Sequence, residues 1–202
     1  MSKIGIMGGT FNPIHYAHLI LAESAYEELK LDKVLFMPSK NPPHKLHENI
    51  VSDEHRVQIV KLAIQDNPHF ELSCAELKRE GITYTADTLE ELNKKYPQDE
   101  FYFIMGADSL FQIEDWWNPQ QIFQLTNIVA AVRDHTTQPE ITGQMNHLTG
   151  LYQARIHLLC TPNMDISSKM LRQYLKNGKT IRYYVPDPVV HYIRENGLYK
   201  AL

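Results

Sequence analysis

The chain has 202 residues, of which 43% are hydrophobic and 22% charged, and its formal net charge is -4. A chain of this length and composition folds into a globular protein whose core needs no disulfide or metal ion to hold it together. The acidic balance disfavours a nucleic-acid partner, because duplex-binding proteins usually carry a basic excess, but a local basic pocket for a small phosphorylated ligand stays open. Only Cys74 and Cys160 are cysteines, and without a C-x-x-C pair a cysteine zinc site is disfavoured.

The N-terminal residues MSKIGIMGG lack the unbroken apolar core of a signal peptide. No run of about 18 apolar residues indicates a membrane span. We therefore expect a cytoplasmic protein with no membrane partner, which the sparse use of cysteine also favours. Without internal repeats or linkers, residues 1–202 are expected to form a single domain, with a small C-terminal helical subdomain over about 162–202. The sequence leaves homo-oligomer formation open.

Short apolar runs alternate with helical periods along the chain. The apolar runs predict strands at Lys3–Met7, Lys33–Pro38, Phe70–Ser73, Glu100–Gly106, Asn127–Val132 and Ile156–Cys160. The helical periods predict helices at about His15–Leu29, after the Ser52 cap, at Thr85–Lys95, from Pro119, at Ser167–Asn177 and at Pro186–Glu195. Residues 133–154 show no clear period, and we expect a mobile excursion there. The alternation predicts an α/β fold with a Rossmann-like, doubly wound and mostly parallel sheet, whose ligands lie beyond the carboxyl ends of the strands.

The first strand is followed by Gly8-Gly9-Thr10-Phe11. Glycines at this place let the backbone turn sharply and approach a ligand closely, although a plain turn between strand and helix would look the same. The spacing fits neither the dinucleotide fingerprint G-x-G-x-x-G nor a P-loop.

His15 and His18 follow at a spacing of three residues, so both side chains can lie on one face of a first helical turn. There they could donate hydrogen bonds to phosphate oxygens, while one core histidine and one solvent histidine is the plainer alternative. A zinc site is set aside, because no third ligand is near and H-E-x-x-H is absent.

Two later segments also follow strands. In ISSKMLR, Ser167 or Ser168 can cap a helix that carries Arg172 on the same face, which would suit an anion, although an ordinary cap with a surface arginine is common. In GADSLFQIEDWW, Asp108 would lie at a strand tip, able to accept from a ribose hydroxyl or a ring amine. Trp116 could stack on a flat ligand or simply pack in the core.

Together these motifs are far more specific than each is alone. G-G-T-F-x-P-x-H-x-x-H after the first strand, with I-S-S-x-x-x-R before a late helix, resembles the nucleotidylyltransferase superfamily. NPPHK, YTADTL, GADSL and DWW narrow the resemblance to bacterial nicotinate-nucleotide adenylyltransferases, over nearly the whole chain, from Lys3 to about Tyr199.

The resemblance implies adenylyl transfer from ATP to nicotinate mononucleotide, giving deamido-NAD and pyrophosphate, with Mg²⁺ held mainly by the ATP phosphates. It implies that His15 and His18 act on those phosphates as the catalytic pair. The ATP site would be formed by Gly8, Gly9, Thr10, Phe11, Ser167, Ser168 and Arg172. The mononucleotide site would be formed by Lys45, Thr85, Asp108, Trp116 and Trp117, with Arg56 as a weaker candidate.

The chain departs from the family pattern at several positions. Ala17 replaces a usual glycine between the histidines, Lys169 stands where threonine is usual, and Trp117 where tyrosine is frequent. Arg133 is followed by DHTT, which leaves that loop uncertain. Alternatives are transfer to nicotinamide mononucleotide or another phosphorylated acceptor, and a nucleotide sensor without catalysis. YTADTL and DWW favour a pyridine ring over phosphopantetheine. An NAD-dependent oxidoreductase is disfavoured by the missing G-x-G-x-x-G.

Overall fold

The computed structural model describes residues 1–40, 50–131, 138–162 and 164–200. Its strands are β1 (Lys3–Gly9), β2 (Lys33–Pro38), β3 (Phe70–Leu72), β4 (Glu100–Gly106), β5 (Asn127–Ala131) and β6 (Ile156–Leu159). Its helices are α1 (Tyr16–Leu29), α2 (Asp53–Ile64), α3 (Thr85–Lys95), α4 (Ala107–Gln112), α5 (Pro119–Leu125), α6 (Gln138–Tyr152), α7 (Ser168–Lys176) and α8 (Asp187–Glu195). Short 3₁₀ turns cover Glu76–Lys78 and Ile113–Asp115.

The strands form one parallel sheet in the order β3-β2-β1-β4-β5-β6. This is the doubly wound order that the alternation of strands and helices predicts. The chain builds outward from β1 to β3 and then returns to the other side of β1 with β4. The order therefore reverses between β1 and β4, and in such sheets a crevice for a ligand opens at this point.

The central strands are buried on both faces, and their alternate residues supply two cores. Ile4 and Ile6 of β1 pack against one layer of helices, and Met7 packs against the other. The first layer is α3 to α6, and the second comprises α1, α2, α7 and α8. The sheet also packs closely around Gly5, where a Cβ atom would lie 2.9 Å from Leu31 Cδ1 and 3.0 Å from Val34 Cγ2.

Most predicted elements are confirmed to within one or two residues, but the prediction of an irregular excursion is wrong for residues 138–152. The structure has α6 there, and residues 132–137 lie outside the described part of the chain. Ile141 and Leu148 are fully buried, with the partly buried Met145 between them. This apolar stripe at i, i+4 and i+7 is narrow. Its neighbours Thr142, Gly143, Thr149 and Gly150 also have low helix propensity. The helical period was therefore not visible in the sequence.

Two further boundaries differ from expectation. β1 continues through Gly8 and Gly9, which pair with Met37 and Pro38 of β2, so these glycines belong to the strand. Asp108 lies in the first turn of the short helix α4 and not at a bare strand tip.

The C-terminal helices α7 and α8 share the second core with α1 and α2 through residues such as Leu171 and Ile193. The boundary of a separate C-terminal subdomain stays a prediction. None of the helices in the described part of the chain is long and apolar enough to cross a bilayer.

Candidate active site

A cavity of about 1050 Å³ opens beyond the carboxyl ends of β1 and β4, where the strand order reverses. Apart from the weaker candidate Arg56, its wall contains every predicted site residue that the structure describes: Gly8, Gly9, Thr10, Phe11, His15, His18, Thr85, Asp108, Trp116, Trp117, Ser167, Ser168 and Arg172. Lys45 lies outside the described residues. The structure thus brings together residues that are up to 164 positions apart (172 minus 8) in the sequence.

The backbone turns after β1 at Phe11, not at the glycines. Phe11 has φ 48°, in the left-handed region, and the Asn12-Pro13 peptide that follows is cis. The glycines contribute closeness instead, since a Cβ atom on Gly8 would lie 3.3 Å from the Phe103 ring and one on Gly9 would lie 3.2 Å from the Phe11 ring. The expectation that the glycines provide the turn is therefore wrong, and their main effect is to let the Phe103 and Phe11 rings pack closely against the backbone.

His15 and His18 stand together at the start of α1. His15 is the extended N-cap residue and is only 4% exposed, and its ring centroid lies 3.8 Å from that of His18. His18 Nδ1 accepts a hydrogen bond from the backbone N–H of His15 at 3.3 Å. A neutral ring that accepts at Nδ1 carries its proton on Nε2, so His18 can donate from Nε2. The Phe11 and His18 rings pack edge to face, with centroids 5.2 Å apart, which restricts the orientation of His18.

The start of α7 is joined directly to the turn after β1. Ser168 Oγ donates to the carbonyl of Pro13 at 2.8 Å, and Arg172 Nη1 donates to the carbonyl of Asn12 at 2.9 Å. Ser167 is the N-cap, because its Oγ accepts from the backbone N–H of Met170. These bonds place the I-S-S-x-x-x-R segment beside the G-G-T-F segment, although about 155 residues separate Pro13 from Ser168.

Of the helices that begin at the cavity, α1 and α7 have first turns that suit an anion. Neither α1 nor α7 has an acidic residue there, whereas α2 has Asp53 and Glu54. No carboxylate in either first turn therefore offsets the positive end of the helix dipole, although in α1 the Tyr16 N–H already donates to the Tyr184 carbonyl and the His18 N–H to the His15 carbonyl. The arrangement suits phosphate groups held between two helix N-termini.

Arg56 does not lie in the cavity wall but supports it from below. Its side chain is fully buried, and Nη1 donates to the carbonyls of Thr10 at 2.9 Å and Ser39 at 2.6 Å. Its other terminal nitrogen pairs with Asp53. The guanidinium therefore clamps the ends of β1 and β2 together, and its expected place in the mononucleotide site is corrected to a structural one.

The opposite half of the cavity is formed by the start of α3 and the turn after α4. Thr85 is the first residue of α3, and Asp108 is exposed in the first turn of α4. Trp116 is half-buried, with its ring edge-on to Phe103 at 6.2 Å, while Trp117 is 61% exposed and lies 5.5 Å from the Tyr84 ring. A flat ring and a polar group have room beside these aromatic side chains.

A buried acid in this half was not found from the sequence. Glu76 is 9% exposed and accepts from Thr88 Oγ1 at 2.7 Å, and Arg79 lies 3.8 Å from the same carboxylate oxygen. Burial raises the pKa of the Glu76 carboxyl, although the Thr88 hydroxyl and the Arg79 charge oppose the rise. Glu76 precedes an irregular stretch of sequence, and no local pattern marks it as buried.

The departures from the family pattern also lie in the cavity wall. Ala17 is 9% exposed, so its methyl group is part of the wall beside the histidines. Lys169 is exposed in the first turn of α7. Within the described ranges, no group of three or more His, Cys, Asp or Glu side chains could hold a metal ion.

Comparison with known proteins agrees with this geometry. Residues 6–174 match the model of the cytidylyltransferase-like family. A probable nicotinate-nucleotide adenylyltransferase of Lachnoclostridium phytofermentans is 50% identical over 199 residues, 98% of this chain and 100% of the relative. A protein of the same description from Desulfitobacterium hafniense is 43% identical over 98% of this chain and 96% of its own length.

The fold has solved counterparts as well. The Plasmodium falciparum nicotinic acid mononucleotide adenylyltransferase, solved in complex with NaAD, superposes with a TM-score of 0.81 at 20% identity and 98% coverage of both chains. At this identity the likeness shows the fold alone. The match of the family model and the full-length identity to the bacterial relatives show more: the chain belongs to the nicotinate-nucleotide adenylyltransferase family of nucleotidyltransferase enzymes.

Proposed function

We propose that this protein transfers the adenylyl group of ATP to nicotinate mononucleotide, releasing pyrophosphate and forming deamido-NAD. The observation that carries the proposal is the convergence of the starts of α1 and α7 and an aromatic half in one cavity. The triphosphate would lie between the N-termini of α1 and α7, and the pyridine ring beside Trp116. The bacterial relatives of the same description support this choice of reaction.

In this reaction a phosphate oxygen of the mononucleotide attacks the α-phosphorus of ATP, and the bond from that phosphorus to the bridging oxygen of pyrophosphate breaks. No protein nucleophile is required, so the side chains contribute positioning and charge stabilisation. His18 Nε2 would donate to an oxygen of the reacting phosphoryl group, since Nδ1 is held by the backbone of His15. His15, Ser167, Ser168 and Arg172 would hold the remaining phosphate oxygens.

Mg²⁺ is proposed as the metal, and the residues present fit an ion held mainly by the substrate. The described lining of the phosphate half offers imidazole and guanidinium groups, which are poor ligands for this hard cation, and only serine and threonine hydroxyls as side-chain oxygen donors, so most ligands would come from the phosphates. When bound to the phosphates, Mg²⁺ would lower the charge that repels the attacking oxygen.

For the acceptor, the start of α3 favours an acid over an amide. Tyr84, the N-cap residue, makes no side-chain capping hydrogen bond, so the first N–H groups of α3 are available at Thr85. A carboxylate on the ring would accept hydrogen bonds from these N–H groups, whereas a neutral amide would gain less, even though Asp87 in the same first turn offsets part of the helix dipole. Asp108 would accept from a ribose hydroxyl, and Trp117 would cover the ring from the solvent side.

The test is a pyrophosphate-release assay with ATP and Mg²⁺, run in parallel with nicotinate and nicotinamide mononucleotides. We expect pyrophosphate release when ATP and a mononucleotide are both present, and a higher kcat/KM for nicotinate mononucleotide than for nicotinamide mononucleotide. No release with either mononucleotide would overturn the reaction, and a higher kcat/KM for the amide would overturn the acceptor. Tight ATP binding without turnover would instead identify a nucleotide sensor.

A further inference from the structure

The charged side chains of the cavity wall are separated by sign. Among the described lining residues, the lysine and arginine side chains are Lys169 and Arg172, and both belong to α7. The carboxylates, Glu76, Asp108 and Asp115, lie in the opposite half, at the start of α3 and around α4. Within this part of the chain, α7 thus supplies the permanent positive charge of the cavity.

The two cations of α7 differ in their surroundings. Arg172 is half-buried, and its Nη1 donates a hydrogen bond to the carbonyl of Asn12. This bond joins α7 to the turn after β1. Lys169 is exposed and lies three residues earlier on the same face of the helix. Side chains of a helix lean toward its N-terminus, so the ammonium group of Lys169 is directed over the end of α7 that opens into the cavity.

The depth of the wall residues in the cavity indicates where the α-phosphoryl group and the β,γ-diphosphate of ATP would lie. His15 and Thr10 are 4% and 8% exposed, so the wall beside them is the floor of the site and suits the reacting α-phosphoryl group. Lys169 lies at the rim, where its long flexible stem can follow a group that moves toward solvent. The part of ATP that is most charged and must leave through the rim is the β,γ-diphosphate.

We propose that Lys169 binds the β- and γ-phosphates of ATP and remains on the pyrophosphate as it leaves. The inference rests on the proposed function for its substrate. As the acceptor oxygen bonds to the α-phosphorus, the electron pair of the broken phosphorus–oxygen bond passes to pyrophosphate. The Lys169 ammonium stabilises this added negative charge without giving up its proton.

The first experiment is calorimetric binding of ATP, pyrophosphate and AMP, with no acceptor present. We compare the wild-type protein with Lys169→Met, Lys169→Arg and Lys176→Met. Lys176 is the matched control, because it is exposed on the same helix at the opposite end and is not in the cavity wall. Lys169→Met is expected to weaken ATP and pyrophosphate binding about tenfold, the loss of one charged hydrogen-bond donor. AMP, which lacks the β,γ-diphosphate, should bind within about twofold of wild type.

Lys169→Arg should recover most of the affinity for pyrophosphate, since it restores the charge at the same place. Lys176→Met should leave all three affinities unchanged. The assignment would be overturned if Lys169→Met lost affinity for AMP and ATP equally, or lost no affinity for pyrophosphate. It would also be overturned if Lys176→Met lost as much affinity as Lys169→Met. All these positions are exposed, and thermal midpoints of the variants will show whether folding is intact.

The second experiment separates this inference from the function on which it rests. The rate of the reverse reaction, from deamido-NAD and pyrophosphate to ATP, is measured against pyrophosphate concentration. We expect Lys169→Met to raise the KM for pyrophosphate about tenfold and to change the KM for deamido-NAD less than twofold. If the wild type turns over but this KM is unchanged, Lys169 is excluded and the function stands. If no turnover occurs while pyrophosphate binding still depends on Lys169, the function fails and the phosphate contact stands.

Discussion

The fully buried Arg56 provides the sharpest structural prediction, because one side chain holds the ends of two strands beneath the phosphate half of the site. In Arg56→Met the volume is nearly kept, but the carbonyls of Thr10 and Ser39 lose their donor. An orphaned buried acceptor costs roughly 1–3 kcal/mol, so the pair predicts a loss of about 3 kcal/mol in the free energy of unfolding. The ion pair with Asp53 adds little, since the side chain of Asp53 is 36% exposed.

For a chain of this size, each kcal/mol lowers the melting temperature by about 2–4 °C, so Arg56→Met should melt about 6–12 °C below wild type. The assay is thermal unfolding followed by circular dichroism, with ATP binding measured well below the transition. Because Thr10 lies in the wall of the cavity, we also expect weaker ATP binding. Arg56→Lys keeps the charge but loses the two-pronged geometry, and it should fall between wild type and Arg56→Met.

The matched control is Arg194→Met on the exposed surface of α8, which should change the midpoint by less than about 2 °C. If Arg56→Met melts as close to wild type as this control does, the clamp is not stabilising and the reasoning from buried hydrogen bonds is refuted. If it loses stability but binds ATP normally, Arg56 stabilises the fold without positioning the phosphate loop.

Three further changes test the site and its charges. His18→Ala should lower kcat by about 10²–10³, as loss of one preorganised donor does, and near-normal kcat in pyrophosphate release would remove His18 from the mechanism. Trp116→Ala should raise the KM for the mononucleotide about tenfold and leave that for ATP within about twofold; equal changes in both would contradict the assignment of the two halves. The raised pKa of Glu76 means that the fold favours its protonated carboxyl, so ionisation costs stability as pH rises from the ordinary carboxyl pKa through the higher folded value. Unfolding measured across this window should show Glu76→Gln gaining stability relative to wild type as pH increases, and a relative loss would reverse the sign of the argument.

Much of the fold could be predicted from local pattern. The limits of β2, α3, β4 and α5 agree with the apolar runs and helical periods, and α3 buries Ala86, Leu89 and Leu92 at helical spacing. The helix α6 could not be predicted from the sequence, because its apolar stripe is narrow and many of its other residues are weak helix formers. Its stability comes from the burial of Ile141 and Leu148 in the core that α6 shares with α4 and α5, which is a tertiary contribution.

The site divides in the same way. The sequence by itself determined which residues are chemically suited to phosphate and to a flat ring, since these motifs depend on residue type and spacing. Only the tertiary structure decided where they meet: Ser168 reaches the carbonyl of Pro13, and Arg172 that of Asn12. The structure also shows that Arg56 binds backbone carbonyls and not the cavity, and that Glu76 is buried. Burial and long-range hydrogen bonds depend on which strands become neighbours, and this information is carried by the whole sheet.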